Sequence, residues 1–182
     1  ALGQLDDRLV GEAGEHHVFE VFQLLADARV NPRVAVAEHV LGMTLCLMNN
    51  ILIADREVRN GIWQREKNRG YELSGKTVGI IGYGNNGSET AKRFKAFGCK
   101  VLAYDIVTND EMIKDGVSFV GLEEIFKSSD IISLHCPLND QTKHVINKTS
   151  LTFMKDSVMI INFESDIEIR GIAKLTFTKE KK

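Results

Sequence analysis

Three glycines at a fixed spacing, and one acid that follows them, are the residues of this chain best suited to binding chemistry. Gly82, Gly84 and Gly87 follow the apolar run Val78–Ile81 in the pattern G-x-G-x-x-G. Asp105 lies eighteen positions after Gly87, at the end of a second apolar run. A strand, a glycine turn, a helix and a second strand that ends in an acid are typical of a dinucleotide-binding βαβ unit.

Each of these residue types has a physical reason to stand at its position. Gly82 permits a tight exit from the strand, Gly84 lets a diphosphate approach the backbone, and Gly87 lets the helix pack against the strand. The helix N-terminus offers free N–H groups and partial positive charge to phosphates. Asp105 can accept hydrogen bonds from ribose hydroxyls and would repel the 2′-phosphate of NADP, so the pattern favours NAD. A flexible glycine loop without a ligand is the simpler alternative, and the flanking elements argue against it.

The segment before the turn is predicted to be helical. Apolar spacing predicts a helix over Glu12–Leu25, a break at Pro32, and a long helix over Val34–Val58. The long helix is apolar around most of its circumference, as in helices buried between two bodies or in a subunit interface. The loop that follows, Arg59–Gly70, carries Trp63 as a large apolar anchor.

After the turn, short apolar strands alternate with short helices. The helix that follows the turn should bury Ala91, Phe94 and Phe97 and end at Gly98. Further on, we expect helices over 111–114, 121–128 and 151–154 and strands over 118–120, 131–134 and 158–161, with Asp130 capping the helix before it. Continuous apolar strands indicate a parallel sheet covered on both faces. We therefore predict an α/β fold, a doubly wound parallel sheet of Rossmann type with a long N-terminal interface helix.

Composition and charge exclude several classes of protein. The chain has 182 residues, 43% hydrophobic and 26% charged, with a net charge of −2, so we expect a globular domain without affinity for nucleic acid. The most apolar run, Val40–Ala54, is interrupted by two asparagines and is too short to cross a membrane; no signal-peptide pattern is visible. Cys46, Cys99 and Cys136 are too far apart to resemble a metal ligand set. We expect reduced thiols, no metal site, no membrane partner and a cytoplasmic location.

The order of these motifs resembles that of the D-isomer-specific 2-hydroxyacid dehydrogenases, most closely their phosphoglycerate dehydrogenase branch. The matching pieces are Val36–His39, Arg59–Trp63, Leu73–Gly82, Ser129–Leu138, Thr142, Asn147, Met154-Lys155 and Ile161-Asn162. The resemblance implies an NAD-binding domain over 34–162. It leaves residues 1–33, which are predicted to be helical, unmatched, and the tail over 163–182 diverges from the family. The substrate domain of the family would be largely missing.

The resemblance also implies a function for these parts. In the family, hydride passes between NAD and the 2-carbon of a hydroxy acid, so an intact relative would act on a small 2-hydroxy or 2-oxo acid. Family members are usually dimers, which implies a homodimer through residues 34–70. The residues implied to bind NAD are Gly82, Tyr83, Gly84, Asn85, Asn86, Gly87, Asp105, His135, Cys136, Pro137, Thr142, Phe163 and Glu164.

One departure from the family motif bears on catalysis. Where the family has an arginine three positions after the equivalent of Asn162, this chain has Ser165, followed by Asp166 in place of a glycine. A serine cannot form the bidentate, charged contact with a carboxylate that an arginine forms. The catalytic glutamate and histidine of the family would fall beyond Lys182. We therefore predict no catalytic residue in this chain, which should bind NAD but turn over little or no substrate.

Two other functions are compatible with the glycine turn. One is a non-catalytic nucleotide-binding or dimerisation module. The other is an S-adenosylmethionine-dependent methyltransferase, against which the motifs outside the turn argue. Within the site, His135 should line the pocket rather than act as a general acid, because the sequence places no carboxylate to orient it. Cys136 should be an inert thiol at an apolar strand end.

Overall fold

Five short strands form one all-parallel sheet. The computed structural model of the protein describes residues 31–107 and 116–162. The strands are β1 (Thr77–Ile81), β2 (Lys100–Tyr104), β3 (Ser118–Phe119), β4 (Ile131–Leu134) and β5 (Met159–Asn162). Their order is β3-β2-β1-β4-β5, and every neighbouring pair is parallel. The chain runs outward from β1 to β3 and then crosses back to β4 on the other side of β1, which confirms the predicted doubly wound α/β fold.

Helices cover both faces of this sheet. Within the described residues they are α1 (Pro32–Met48), α2 (Ile51–Arg59), α3 (Asn85–Ala96), α4 (Leu122–Ser128) and α5 (Lys148–Phe153). α1 packs on α3 on one face, and α4, with α5 beside it, lies on the other. Since both faces are covered, the strands are mainly apolar and buried at most positions, as expected for a parallel sheet with two covered faces.

Alternate strand residues divide between two apolar clusters, one on each face. On the α1 and α3 face, Val78, Ile80 and Val101 pack with Val40 and Phe94. The cluster on the opposite face includes Ile81, Leu102, Ile125, Phe126, Ile132, Leu134 and Ile160. These two clusters together hold the strands in place. They therefore also fix the carboxyl ends of the strands, where the candidate site lies.

The prediction of one long helix over Val34–Val58 is wrong, because α1 and α2 are separate helices with a 61° bend between them. Asn50 adopts a left-handed conformation with φ 53°, which asparagine tolerates better than most residues. The Asn49 side chain donates to the carbonyl of Leu45 (3.1 Å) and satisfies a group at the end of α1. Of these two helices only α1 buries residues, and α2 buries none.

The start of α1 and the end of α3 can also be compared with the sequence-based predictions. Pro32 is the first residue of α1, and the Asn31 side chain accepts a hydrogen bond from the Arg33 N–H (3.2 Å). The proline therefore starts this helix instead of breaking the chain. Gly98 has φ 78° and ends α3 as predicted, but Phe97 is 44% exposed and does not join the buried face expected for it.

Several predicted elements lie outside the described residues, namely the helices over 12–25 and 111–114 and the tail from 163 onwards. The other short helices and strands begin and end within three residues of their expected bounds. In the described parts of the chain, no single helix combines the length and the apolar composition needed to cross a membrane. α1 and α2 meet those two criteria only when taken together across their bend.

Asp130 connects the starts of β1, β4 and β5. Its carboxylate accepts hydrogen bonds from the Thr77 N–H (2.8 Å) and from the Lys155 ammonium (2.8 Å). Its backbone N–H donates to the Thr77 carbonyl (2.8 Å), and its carbonyl accepts from the Met159 N–H (2.9 Å). The predicted helix-capping role is therefore wrong. Partial burial raises the pKa of Asp130, but the hydrogen bonds from Lys155 and Thr77 outweigh it, and the net pKa is lowered.

We expect Asp130→Ala to lower the free energy of unfolding by about 1–3 kcal/mol, because it leaves a strand N–H without its acceptor and removes a charged contact. Urea denaturation at pH 7 measures the loss, and Asp156→Ala, at an exposed acid nearby, is the control that should change little. Because the folded pKa is lowered, the contribution is present above the ordinary value of 3.8 and is lost as the pH falls below it. Equal stability of the two variants at pH 7 would contradict this role.

Candidate functional site

The glycine turn lies where the carboxyl end of β1 meets the first turn of α3. Gly82 has φ 92°, and a Cβ there would lie 2.6 Å from the carbonyl of His135. A Cβ on Gly87 would lie 2.0 Å from the Gly82 carbonyl oxygen. At Gly84, by contrast, a Cβ would meet no heavy atom within 4 Å. Gly82 and Gly87 are thus required by packing within the protein, whereas Gly84 leaves space for a ligand beside the turn.

The first turn of α3 presents backbone N–H groups to that space. Gly84 is the N-cap and makes no side-chain capping hydrogen bond. The first backbone hydrogen bond of the helix runs from the Ser88 N–H to the Gly84 carbonyl (3.0 Å), so the N–H groups of residues 85–87 precede the helical pattern. Asn85 is exposed and Asn86 half-buried, and the first turn contains no acid. Such a helix end is suited to bind a diphosphate.

Asp105 follows β2 and lies directly beside the turn. One of its oxygens accepts from the Tyr83 N–H (2.6 Å) and the other from the Val107 N–H (3.1 Å). An ionised carboxylate has about four acceptor positions, so Asp105 can still accept hydrogen bonds from ribose hydroxyls. The Tyr83 ring is buried with its edge against Phe119, 5.0 Å between centroids, so Tyr83 offers its backbone to the site. The ribose contact itself stays a prediction.

His135 follows β4 and is buried against the turn, with 7% of its surface exposed. Its backbone N–H donates to the Ile81 carbonyl (2.7 Å), and its Nε2 lies 2.8 Å from Ser133 Oγ. Burial lowers the pKa of His135 to about 4, so the imidazole is neutral at pH 7. Nδ1 is buried without a hydrogen-bond partner among the described residues. A neutral imidazole lacks the second ring proton that an imidazolium donates as a general acid. Lining the cofactor pocket therefore stays the predicted role of His135.

Ser133 is a residue of this site that the sequence analysis missed. It is fully buried and forms the one hydrogen bond found for the His135 ring among the described residues. A signal for it was available, because residues two apart on a strand lie on the same face. The spacing of Ser133 and His135 along β4 and just after it therefore predicts a contact between their side chains.

The remaining predicted residues lie on the chain after β4. Cys136 is buried and Pro137 exposed. The Thr142 hydroxyl donates to the Pro137 carbonyl (2.5 Å) and accepts from the Asn139 N–H (2.8 Å), so it holds this loop in shape. Within residues 31–107 and 116–162, no group of three or more His, Cys, Asp or Glu side chains could hold a metal ion. The other predicted positions, Phe163, Glu164 and Ser165, lie outside the described residues.

We expect the burial of His135 to make the fold less stable in acid. As the pH falls, the unfolded chain takes up the proton first, because its pKa is the ordinary 6.5 while the folded pKa is about 4. The free energy of unfolding should lose about 3 kcal/mol through this group, beginning below pH 6.5 and complete near pH 4. Urea denaturation of wild type and His135→Gln measures it. The two pH profiles should converge below pH 6.5 and run parallel above pH 7.5; parallel profiles throughout would refute this account.

Comparison with known proteins identifies the family. The model of the D-isomer specific 2-hydroxyacid dehydrogenase, NAD binding domain, matches residues 41–164. The hydroxypyruvate reductase of Thermotoga maritima is 44% identical over 128 residues, which are 70% of this chain and 41% of that protein. The D-3-phosphoglycerate dehydrogenase of Archaeoglobus fulgidus is 41% identical over 130 residues, 71% of this chain and 25% of that protein. The chain therefore spans less than half the length of either relative.

A solved structure shows the same fold with the cofactor bound. The D-lactate dehydrogenase from Aquifex aeolicus, complexed with NAD and lactic acid, superposes with a TM-score of 0.66 and 39% identity, covering 71% of this chain and 39% of that one. These similarities favour the NAD-binding domain of a dehydrogenase over a methyltransferase or a nucleotide-binding module of another family. The chain belongs to the D-isomer specific 2-hydroxyacid dehydrogenase family, and its residues 41–164 match the NAD-binding domain of that family.

Proposed function

We propose that this chain supplies the cofactor-binding part of an oxidoreductase that moves a hydride between NAD and the 2-carbon of a hydroxy acid. The observation that carries the proposal is the open space at Gly84, between the N-terminus of α3 and the carboxylate of Asp105. The diphosphate of NAD would lie against the N–H groups of α3, and the adenosine ribose against Asp105. NAD supplies or accepts the hydride, and the residues of this chain bind and orient it.

We further propose that the chain by itself has no dehydrogenase activity. Ser165 stands where the family motif has an arginine, and Asp166 adds a negative charge where a glycine is usual. An anionic substrate would lose its bidentate cationic partner and meet a carboxylate instead. His135 does not replace a catalytic acid, because it is buried and neutral at pH 7.

The proposed substrate of the whole enzyme is a small 2-hydroxy or 2-oxo acid. The relatives are named for hydroxypyruvate, D-3-phosphoglycerate and D-lactate, and all three compounds belong to that class. The three relatives have similar sequence identities to this chain, so they support the class of substrate rather than one member of it. The phosphoglycerate dehydrogenase branch is the member that we propose from the sequence motifs.

The proposed partner is a second copy of the chain, bound through residues 34–70. This proposal is supported by large apolar side chains that are exposed on α2 and after it: Ile51, Leu52, Ile53, Val58, Ile62 and Trp63. Exposed apolar surface concentrated in one region is typical of an interface. None of the three cysteines, all of which lie in the described residues, forms a disulfide, which supports a proposed location in the reducing cytoplasm.

We expect Gly84→Ala to weaken NADH binding by about tenfold or more without unfolding the chain, because the new methyl group would occupy the space proposed for the diphosphate. Isothermal titration calorimetry measures the Kd, and urea denaturation measures stability. Gly121→Ala is the matched control: Gly121 is the N-cap of α4, and a Cβ there also meets nothing within 4 Å. If Gly84→Ala bound NADH like the control, or if the folded wild type bound none, the proposed site would be wrong.

We expect no dehydrogenase turnover from the chain as it stands, because Ser165 cannot replace the arginine. The measurement is the decrease in NADH absorbance with 3-phosphohydroxypyruvate, hydroxypyruvate or pyruvate, alongside a complete D-lactate dehydrogenase that reports on the assay. NADH oxidation should match the rate without protein. A saturable rate that scales with the concentration of this chain would show that its activity does not need the arginine.

A further inference from the structure

Residues 51–71, which comprise α2 and the loop after it and are called the arm below, form a part of the protein that lacks its own apolar core. α2 contains no buried residue, and no residue of the arm belongs to either buried cluster. Of the twelve large hydrophobic side chains that are exposed in the described residues, seven lie on the arm. Trp63 is the most exposed of them, at 78%. The arm therefore displays apolar surface while its own shape must be held by polar contacts.

The loop of the arm turns back and returns along α2. It leaves α2 at Gly61, which has φ 75°, with hydrogen bonds from the Gly61 N–H to the Val58 carbonyl (2.9 Å) and from the Ile62 N–H to the Glu57 carbonyl (2.8 Å). These are the two hydrogen bonds of a Schellman motif. The loop ends beside the α1–α2 bend, where the Tyr71 N–H donates to the carbonyl of Met48 (2.9 Å).

Glu57 connects the returning part of the loop to α2. Its carboxylate accepts hydrogen bonds from the Lys67 ammonium (2.8 Å) and from the Asn68 side-chain amide (2.5 Å). Although it is an acid on a protruding helix, its side chain is only 14% exposed. The hydrogen bonds from Lys67 and Asn68 lower the pKa of Glu57. One residue thus holds both the start of the loop, through its carbonyl, and the far side, through its carboxylate.

The charges of the arm indicate which partner its apolar surface suits. Its three acids each pair with a base of the arm, as in Asp55 with Arg59 (2.8 Å) and Glu66 with Arg69 (2.9 Å), and its five bases leave a net charge of +2. Because every acid is neutralised locally and the remaining charge is small, the arm does not by itself require a partner of the opposite sign. Mixed charge beside exposed apolar side chains suits an isologous contact, in which a patch meets its own copy.

We propose that Glu57 is a positioning residue that holds the loop of the arm, and with it Trp63, in the one shape that binds a second copy of the chain. The inference rests on the homodimer of the proposed function. A loop that is ordered before association loses less conformational entropy on binding than one that must become ordered in the contact. Tryptophan is enriched among the residues that contribute most to interfaces. Glu57 would therefore act on association without itself having to touch the partner.

The test uses Trp63, the single tryptophan of the chain, as the probe of loop mobility. Time-resolved fluorescence anisotropy of the whole chain gives the amplitude of its fast local motion, and sedimentation equilibrium gives the Kd of the dimer. In Glu57→Gln, the fast amplitude should rise and the dimer should weaken by about tenfold. Glu66→Gln is the matched control, because it removes the same charge from the arm but breaks only contacts within the loop, to Arg65 and Arg69. It should behave like wild type in both measurements.

Further variants separate the possible outcomes. Asn68→Ala should reproduce the effect of Glu57→Gln, and the double variant should add little to either, since the two residues form one contact. Circular dichroism should show an unchanged fold in all variants, because the arm lies outside both buried clusters. Unchanged Trp63 motion and unchanged Kd in Glu57→Gln would overturn the proposal. If wild type stays monomeric, the proposed homodimer is wrong, and so is the proposed effect of Glu57 on association. The Trp63 motion still decides, separately, whether Glu57 holds the loop.

Discussion

The contact between the Gly87 α-carbon and the Gly82 carbonyl is the constraint on which the cofactor site depends. Only a hydrogen atom fits there, since a Cβ would lie 2.0 Å from the oxygen. Because the contact is so close, α3 begins directly at the end of β1, and its first N–H groups face the space beside Gly84. The same turn carries the Tyr83 N–H, which holds Asp105 at 2.6 Å. A single close approach of backbone to backbone therefore aligns the group proposed for the diphosphate with the group proposed for the ribose.

The domain is stabilised in two different ways. Around the sheet, apolar burial on both faces fixes the strand ends, and the partly buried Asp130 and the buried His135 make contacts that depend on the protonation of one side chain. On the arm, residues 51–71, the apolar side chains face outward, so that polar contacts such as those of Glu57 keep the loop in place. The first arrangement favours a rigid cofactor site. The second keeps apolar surface available for another molecule at the cost of local stability.

The fold was predictable where the signal is local, and the errors occur where it is not. Strand periodicity and glycine spacing are local, so the sheet, the turn and the helix after it followed from the sequence. The break between α1 and α2 did not, because apolar residues continue across Asn49 and Asn50 and the periodicity favours one helix. The contacts of Asp130 join residues 53 and 25 positions away, which no local pattern contains. For His135, the strand end gave the position of the backbone but not the burial of the ring, which depends on the packing around it.

In the function proposed for this chain, cofactor binding and substrate turnover depend on physically separate groups. The groups proposed to bind NAD are backbone N–H groups and one carboxylate, whose positions are set by glycine packing within residues 82–105. None of these contacts requires a guanidinium near position 165. The proposed turnover does require it, because a guanidinium can hold the substrate carboxylate in a bidentate contact and so orient the 2-carbon toward the cofactor. Relatives named for different acids share this domain at 44% and 41% identity, as expected if the cofactor, rather than the substrate, constrains its sequence.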